Sequence, residues 1–129
     1  MFNENKPRVG IGVDLCAVSR MAKAIEKEHF FSRIFTERER AYLDMKGKGR
    51  AQSAAAMYAA KEATSKALGT GIAQGICFNQ IEVEHDAFGA PGLVLSGAAL
   101  DRMHVLGAER ALLSLSHEGD MAIAFVILT

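Results

Sequence analysis

Residues Ala51 to Leu68 read AQSAAAMYAAKEATSKAL and run into Gly69-Thr70-Gly71-Ile72. The stretch is rich in alanine, the strongest helix former, and holds neither glycine nor proline. It predicts the longest helix of the chain, which Gly69 is placed to end in a left-handed conformation. Thr70-Gly71 prolong that turn, where a backbone can approach a ligand closely. Within the helix Glu62 and Lys66 stand four apart and so share a face. Taken alone, the pair is most simply an ordinary ion pair worth a few tenths of a kcal/mol.

Upstream, Val9 to Leu15 (VGIGVDL) reads as a buried strand that delivers the carboxylate of Asp14 at its C-terminal end. Ser19 is a candidate cap for a helix with Met21, Ala24 and Ile25 on one side and Lys23 and Lys27 on the other. Phe30, Phe31, Ile34 and Phe35 have helical spacing and suit core packing. Thr36 followed by Glu39 makes a capping box for a helix that Tyr42 and Leu43 continue. Lys46-Gly-Lys-Gly-Arg50 reads as a flexible basic loop.

Downstream, Ile81 to His85 alternates as a half-buried strand does. Gly89 to Gly92 is a turn, and Leu93 to Leu95 pairs back on that strand. Ser96 to about Leu106 reads as a helix. Ala111 to Ser116 and Met121 to Leu128 read as strands joined through Glu118-Gly119-Asp120. The expected fold is α+β: an antiparallel sheet packed against one long helix and several short helices.

The chain has 129 residues, which suits one domain over 1–129, with 1–8 as a loose N-terminal extension. Half its residues are hydrophobic and 23% are charged, which excludes disorder for the rest. Net formal charge is zero but unevenly spread. Arg20 to Arg50 carries nine Lys/Arg against five Asp/Glu, while Glu62 to Thr129 carries three against eight. A basic segment on a neutral protein suits an acidic partner or a phosphorylated ligand rather than nucleic acid. Spacing alone is met as simply by a solvated helical face.

Met1 to Arg8 is polar and unlike a signal peptide, and no apolar run is long enough to span a membrane, so the expected address is cytoplasmic. Cys16 and Cys77 are far apart in apolar surroundings, which suits buried, reduced thiols. Gly10-Ile-Gly12 lacks the third glycine of a dinucleotide fingerprint, and Gly69-Thr-Gly71 is not followed by the Gly-Lys-Ser/Thr of a P-loop. No GxSxG elbow occurs, and His29, His85, His104 and His117 have no metal-ligand spacing.

Four polar residues sit in otherwise apolar elements: Asp14, Glu62, Lys66 and His117. If the strand end lies against the helix, Asp14 and Glu62 can share one Mg²⁺, which takes one or two carboxylates and completes its octahedron with water and phosphate oxygens. Such a pair suits a pyrophosphate substrate better than zinc chemistry.

Four segments together resemble the holo-acyl-carrier-protein synthase family of 4'-phosphopantetheinyl transferases. They are GIGVDLCAVSR (Gly10 to Arg20), RIFTERERAY (Arg33 to Tyr42), AAKEATSKALGTGI (Ala59 to Ile72) and LSLSHEGDMAIAFV (Leu113 to Val126). Gly89-Ala-Pro91 and Leu95-Ser-Gly97 match as well, in the family's order across nearly the whole chain. The resemblance implies the phosphopantetheinyl transferase fold and transfer of 4'-phosphopantetheine from coenzyme A to a serine of an apo-acyl carrier protein, with Mg²⁺ bound and 3',5'-ADP released. It implies that Asp14 and Glu62 are the magnesium carboxylates and that Lys66 is the lysine near the phosphates. Gly69, Thr70 and Gly71 would line the nucleotide pocket, and His117 would stand at the far edge of the coenzyme A site.

The resemblance also implies a homotrimer with active sites between chains, and makes Arg20 a contact for the acidic carrier. Lys23 and Lys27 extend that basic surface. Where the family commonly has an arginine for the 3'-phosphate of coenzyme A, this chain has Met57, and Lys48 and Arg50 are the expected substitutes. The base that takes the serine proton is left between Glu62 and a metal-bound water. The rival readings are a non-catalytic module that binds coenzyme A or carrier protein, and a plain structural oligomer.

Overall fold

The long helix forms where expected, as α4 (Arg50–Ala67), in a computed structural model that describes residues 10–129. The proposed extension 1–8, and Val9 at the expected start of the first strand, lie outside the described residues. Alanine here does more than favour a helix. Ala54, Ala55, Ala59, Ala60 and Ala63 are fully buried, and their short side chains let neighbouring backbone come close.

Against α4 lie β1 (Gly10–Ala17) and β5 (Met121–Leu128), with β4 (Ala111–Glu118) outside them in an antiparallel sheet of order β1-β5-β4. Along β1, Gly12 and Cys16 are buried, whereas Ile11, Val13 and Leu15 are exposed. Because strand side chains alternate, Asp14 falls on the helix side with the glycines. The approach is very tight. A Cβ on Gly12 would overlap the Ala63 carbonyl oxygen and lie 2.9 Å from the Ala67 nitrogen, and one on Gly10 would overlap the Ala67 oxygen. Gly12→Ala is therefore expected to lower stability by roughly 1–3 kcal/mol, the range for overpacking, seen as a lower urea midpoint at unchanged slope. An unchanged midpoint would mean that β1 does not seat on α4 in this way.

The expected sheet is in fact two. β2 (Ile81–His85) and β3 (Pro91–Leu95) form a separate hairpin, with Ile81 opposite Leu95 and His85 opposite Pro91. β3 packs beside β4 without joining its ladder. A buried ion pair anchors the hairpin instead. Lys61 of α4 and Glu39 of α3 (Glu37–Asp44) are 2.7 Å apart and fully buried. Lys61 Nζ also donates to the carbonyls of Phe78 and Ile81 at 2.9 and 2.6 Å, and Glu39 Oε2 accepts from the Val83 N–H at 2.8 Å. Burial pushes the Lys61 ammonium below its ordinary range, and Glu39 opposes that. The Thr36–Glu39 capping box is present, so one glutamate caps its own helix and neutralises a lysine on another.

The remaining helices are α1 (Val18–Ala24), α2 (Glu28–Ile34) and α5 (Gly97–Val105). Phe31, Ile34 and Phe35 are buried as expected, each contributing on the order of 1.5–3 kcal/mol. Four readings need correction. Ser19 does not cap its own helix, since Ala17 takes the cap position and makes no side-chain bond. Lys27 is outside the first helix, at the cap of α2, because the chain turns after Ala24. The basic stretch after Lys46 is a 3-10 turn (Gly47–Gly49) continuous with α4 rather than a loose loop. Cys16 is buried and reduced but Cys77 is exposed, because the segment after α4 runs along the surface.

Candidate active site

The strand end and the helix do converge. Lys66 Nζ donates to Asp14 Oδ1 at 2.9 Å and to the Val13 carbonyl at 3.1 Å. The pairing of Glu62 with Lys66 that their spacing suggests is replaced by this longer-range one. Glu62 Oε1 instead accepts from the Tyr58 hydroxyl at 3.3 Å, one helical turn away. Among the described residues no donor reaches the second oxygen of either carboxylate, so each keeps one free.

Tyr58 sits in an aromatic setting beside Glu62. Its ring stacks on Phe78 at 5.5 Å and packs near Phe30 at 6.4 Å. Burial, then the charge and hydrogen bond of Glu62, then Cys16 and Asp14, raise its phenol to about 12 from 10.0. Among the charged groups Glu62, which accepts the hydroxyl's hydrogen bond, has the largest effect and Asp14 the smallest. A phenol with a raised pKa stabilises the fold fully below its ordinary value, and that contribution is lost as pH rises through about 12. The chain has two tyrosines and no tryptophan, so phenolate absorbance on alkaline titration should show a step near 12. That step should disappear in Tyr58→Phe and move to lower pH in Glu62→Gln. A step unmoved by Glu62→Gln would separate the two side chains.

Sheet register places His117 opposite Ala122, whose other partner is Cys16 on β1, so His117 shares the helix-facing side with Asp14. With β5 between them, their strands are about 10 Å apart. His117 lines a cavity of about 220 Å³ with Gln52, Ser53, Met57, His85 and Ser116. Beyond α4, Gly69 and Gly71 have φ of +80° and +66°, which a side chain would strain, and Thr70 Oγ1 donates to the Gly71 carbonyl. Arg102 Nε donates to the Leu68 carbonyl at 3.0 Å and so holds the end of the helix.

Arg20 and Lys23 lie exposed on α1, with Lys27 just beyond it. Neither Lys48 nor Arg50 lines the cavity beside Met57. Arg50 lies over the Phe31 ring at 4.6 Å and 3.4 Å from Asp44, and Lys48 is exposed on the 3-10 turn. Tyr58, His85, Lys61 and Arg102 are parts of this region that the sequence reading left unused. The same four-residue spacing that singled out Glu62 and Lys66 points back from Glu62 to Tyr58. His85 carries no such signal, because a separate hairpin brings it to the cavity.

The donor set can be tested for Mg²⁺. Among the described residues no three His, Cys, Asp or Glu side chains cluster as a metal site. Two carboxylates with one free oxygen each fit a magnesium ion that relies on water and phosphate for its remaining ligands. Asp14 and Glu62 each keep one free oxygen, Lys66 holds the other oxygen of Asp14, and a glycine turn follows the helix end, a donor set chemically suited to a metal-bound diphosphate.

The 4'-phosphopantetheinyl transferase superfamily profile matches residues 10–126. The chain is 46% identical over 127 residues to the holo-[acyl-carrier-protein] synthase of Gluconobacter oxydans, covering 93% of this chain and 81% of that one. The crystal structure of the Neisseria meningitidis holo-[acyl-carrier-protein] synthase superposes with a TM-score of 0.82 at 36% identity, covering 93% of this chain and 97% of that one. The Bacillus anthracis holo-(acyl-carrier-protein) synthase in complex with coenzyme A (3',5'-ADP) superposes with a TM-score of 0.77 at 38% identity, covering 92% and 94%. The chain belongs to the 4'-phosphopantetheinyl transferase superfamily, among the holo-[acyl-carrier-protein] synthases, and is an enzyme.

Proposed function

We propose that this single-domain chain transfers 4'-phosphopantetheine from coenzyme A to a serine of an apo-acyl carrier protein, with Mg²⁺ bound and 3',5'-ADP released. The observation that carries the reading is the meeting of β1 and α4, where Lys66 bridges to Asp14 at 2.9 Å while Glu62 stands one turn away. Asp14 and Glu62 would hold the ion, which when bound offsets negative charge on the diphosphate.

In this reading the serine Oγ forms a bond to the β-phosphorus as the bridging P–O bond breaks toward 3',5'-ADP. Lys66 is held at two of its three N–H groups by Asp14 and Val13, which leaves one for the departing phosphate. With the free Glu62 oxygen turned to the ion, the other oxygen, which accepts from Tyr58, is the one that would receive the serine proton. Position and electrostatics supply most of the acceleration, as in other phosphoryl transfers. The nucleotide end runs past Gly69-Thr70-Gly71 and toward His117, and the exposed Arg20, Lys23 and Lys27 face the acidic carrier. The outer sheet face exposes Ile11, Val13, Leu15, Leu112 and Phe125, an apolar surface that suits a homotrimer with sites between chains.

Lys48 and Arg50 do not line the cavity beside Met57, so in this reading they would reach the 3'-phosphate of coenzyme A from outside it. Replacing both by Ala is expected to raise KM for coenzyme A and spare turnover, with most of the change from Lys48, since Arg50 is engaged by Phe31 and Asp44. An unchanged KM would reject this role. No helix among the described residues is long and apolar enough to cross a membrane, which is in keeping with a cytoplasmic address. Purified chain, Mg²⁺, coenzyme A and an apo-acyl carrier protein should together add one phosphopantetheine arm to the carrier, read by mass. No mass gain would refute the proposal.

A further inference from the structure

α1 lacks a cap of its own. Ala17 precedes it with no side-chain bond, and no acidic residue lies in its first turn. With seven residues it is too short to hold together by its own hydrogen bonds. Its first amides are satisfied from a distant part of the chain. The Val18 N–H donates to the Asp120 carbonyl at 2.7 Å, the Ser19 N–H to Asp120 Oδ1 at 2.9 Å, and Ser19 Oγ to Asp120 Oδ2 at 2.6 Å. Both residues are exposed, so this clamp contributes little to the core.

Asp120 sits in the turn between β4 and β5, where Gly119 has a φ of +56°. The same turn follows His117, which lines the cavity beside Met57. One hairpin tip thus grips the helix that presents Arg20 and also carries a wall of the cavity. A carboxylate at the N-terminus of α1 also favours the helix dipole.

We infer that Asp120 is a positioning residue. By capping α1 in trans it fixes the direction in which Arg20 and Lys23 meet the protein substrate, and it references that helix to the hairpin bearing His117. The inference rests on the carrier-transfer reading above, and asks of it only that α1 face the carrier.

The test compares Asp120→Ala, Asp120→Asn and Ser19→Ala. Asp120→Ala should raise KM for the apo-acyl carrier protein by about fivefold, the size of one lost N-cap, with kcat and KM for coenzyme A within about twofold of the parent. Asn caps helices as well as Asp, so Asp120→Asn should recover most of that loss. Ser19→Ala and Asp120→Ala should be non-additive in carrier KM, since each removes part of one clamp. Amide hydrogen exchange gives a readout free of catalysis: the first α1 amides should exchange faster in Asp120→Ala while those of α4 do not change. Equal increases in both KM values, a fall in kcat alone, unchanged carrier KM, or unchanged α1 exchange would each overturn the inference. If the parent chain shows no transfer at all, the functional reading fails, and the exchange result still decides whether the clamp exists.

Discussion

Asp14→Asn and Glu62→Gln should each lower phosphopantetheine transfer by at least about 10²–10³-fold, the cost of removing one well-placed electrostatic group from a transferring centre. Neither change should unfold the chain. Lys66 is half exposed and also bonded to the Val13 carbonyl, so losing its pairing with Asp14 alters stability by no more than about 1 kcal/mol. Glu62 loses only a hydrogen bond to Tyr58. The measurement is single-turnover transfer followed by mass, beside a melting curve of each variant. Near-parental turnover in either variant would remove that residue from the diphosphate site. Low activity with a melting curve shifted by many degrees would show a structural role in place of a chemical one.

Lys61→Met carries the second large effect, and it falls on stability. The lysine and Glu39 are both fully buried, so removing the cation leaves a buried carboxylate without a counter-ion. Breaking such a pair costs about 3–5 kcal/mol, which for a chain of this size lowers Tm by roughly 10–20 °C. Adding Glu39→Gln to that variant should recover only part of the loss. The buried charge is gone, but Glu39 accepts from both the Thr36 and Val83 N–H groups, and one amide oxygen cannot serve both. Calorimetry of the two variants decides the matter. A single variant as stable as the parent would mean that the carboxylate finds water or a proton at no cost.

Much of the local structure was legible because its causes are local. The alanine run from 51 specifies α4 through propensity, Gly69 ends it because only glycine takes φ of +80° without strain, and Thr36 with Glu39 caps α3 within four residues. The alternation in Ile81–His85 is a two-residue period that one strand displays by itself. The resemblance could then mark Asp14, Glu62, Lys66 and His117 because the segments that contain them are contiguous.

What remained hidden involves partners far apart in the chain. Lys66 pairs with Asp14 across 52 positions and not with Glu62 across four, because the two backbone glycines of β1 bring the strand onto α4. Asp120 caps a helix 101 positions away, in place of Ser19 acting on its own helix. The β2–β3 hairpin stays out of the main sheet because Lys61 and Glu39 anchor it from the other side. Sequence alone determined which segments are helix or strand and which residue types carry chemistry, since those follow from propensity and period. Only the tertiary structure decided which charges meet, because an ion pair depends on distance in space and on how much water the surrounding packing leaves between its members.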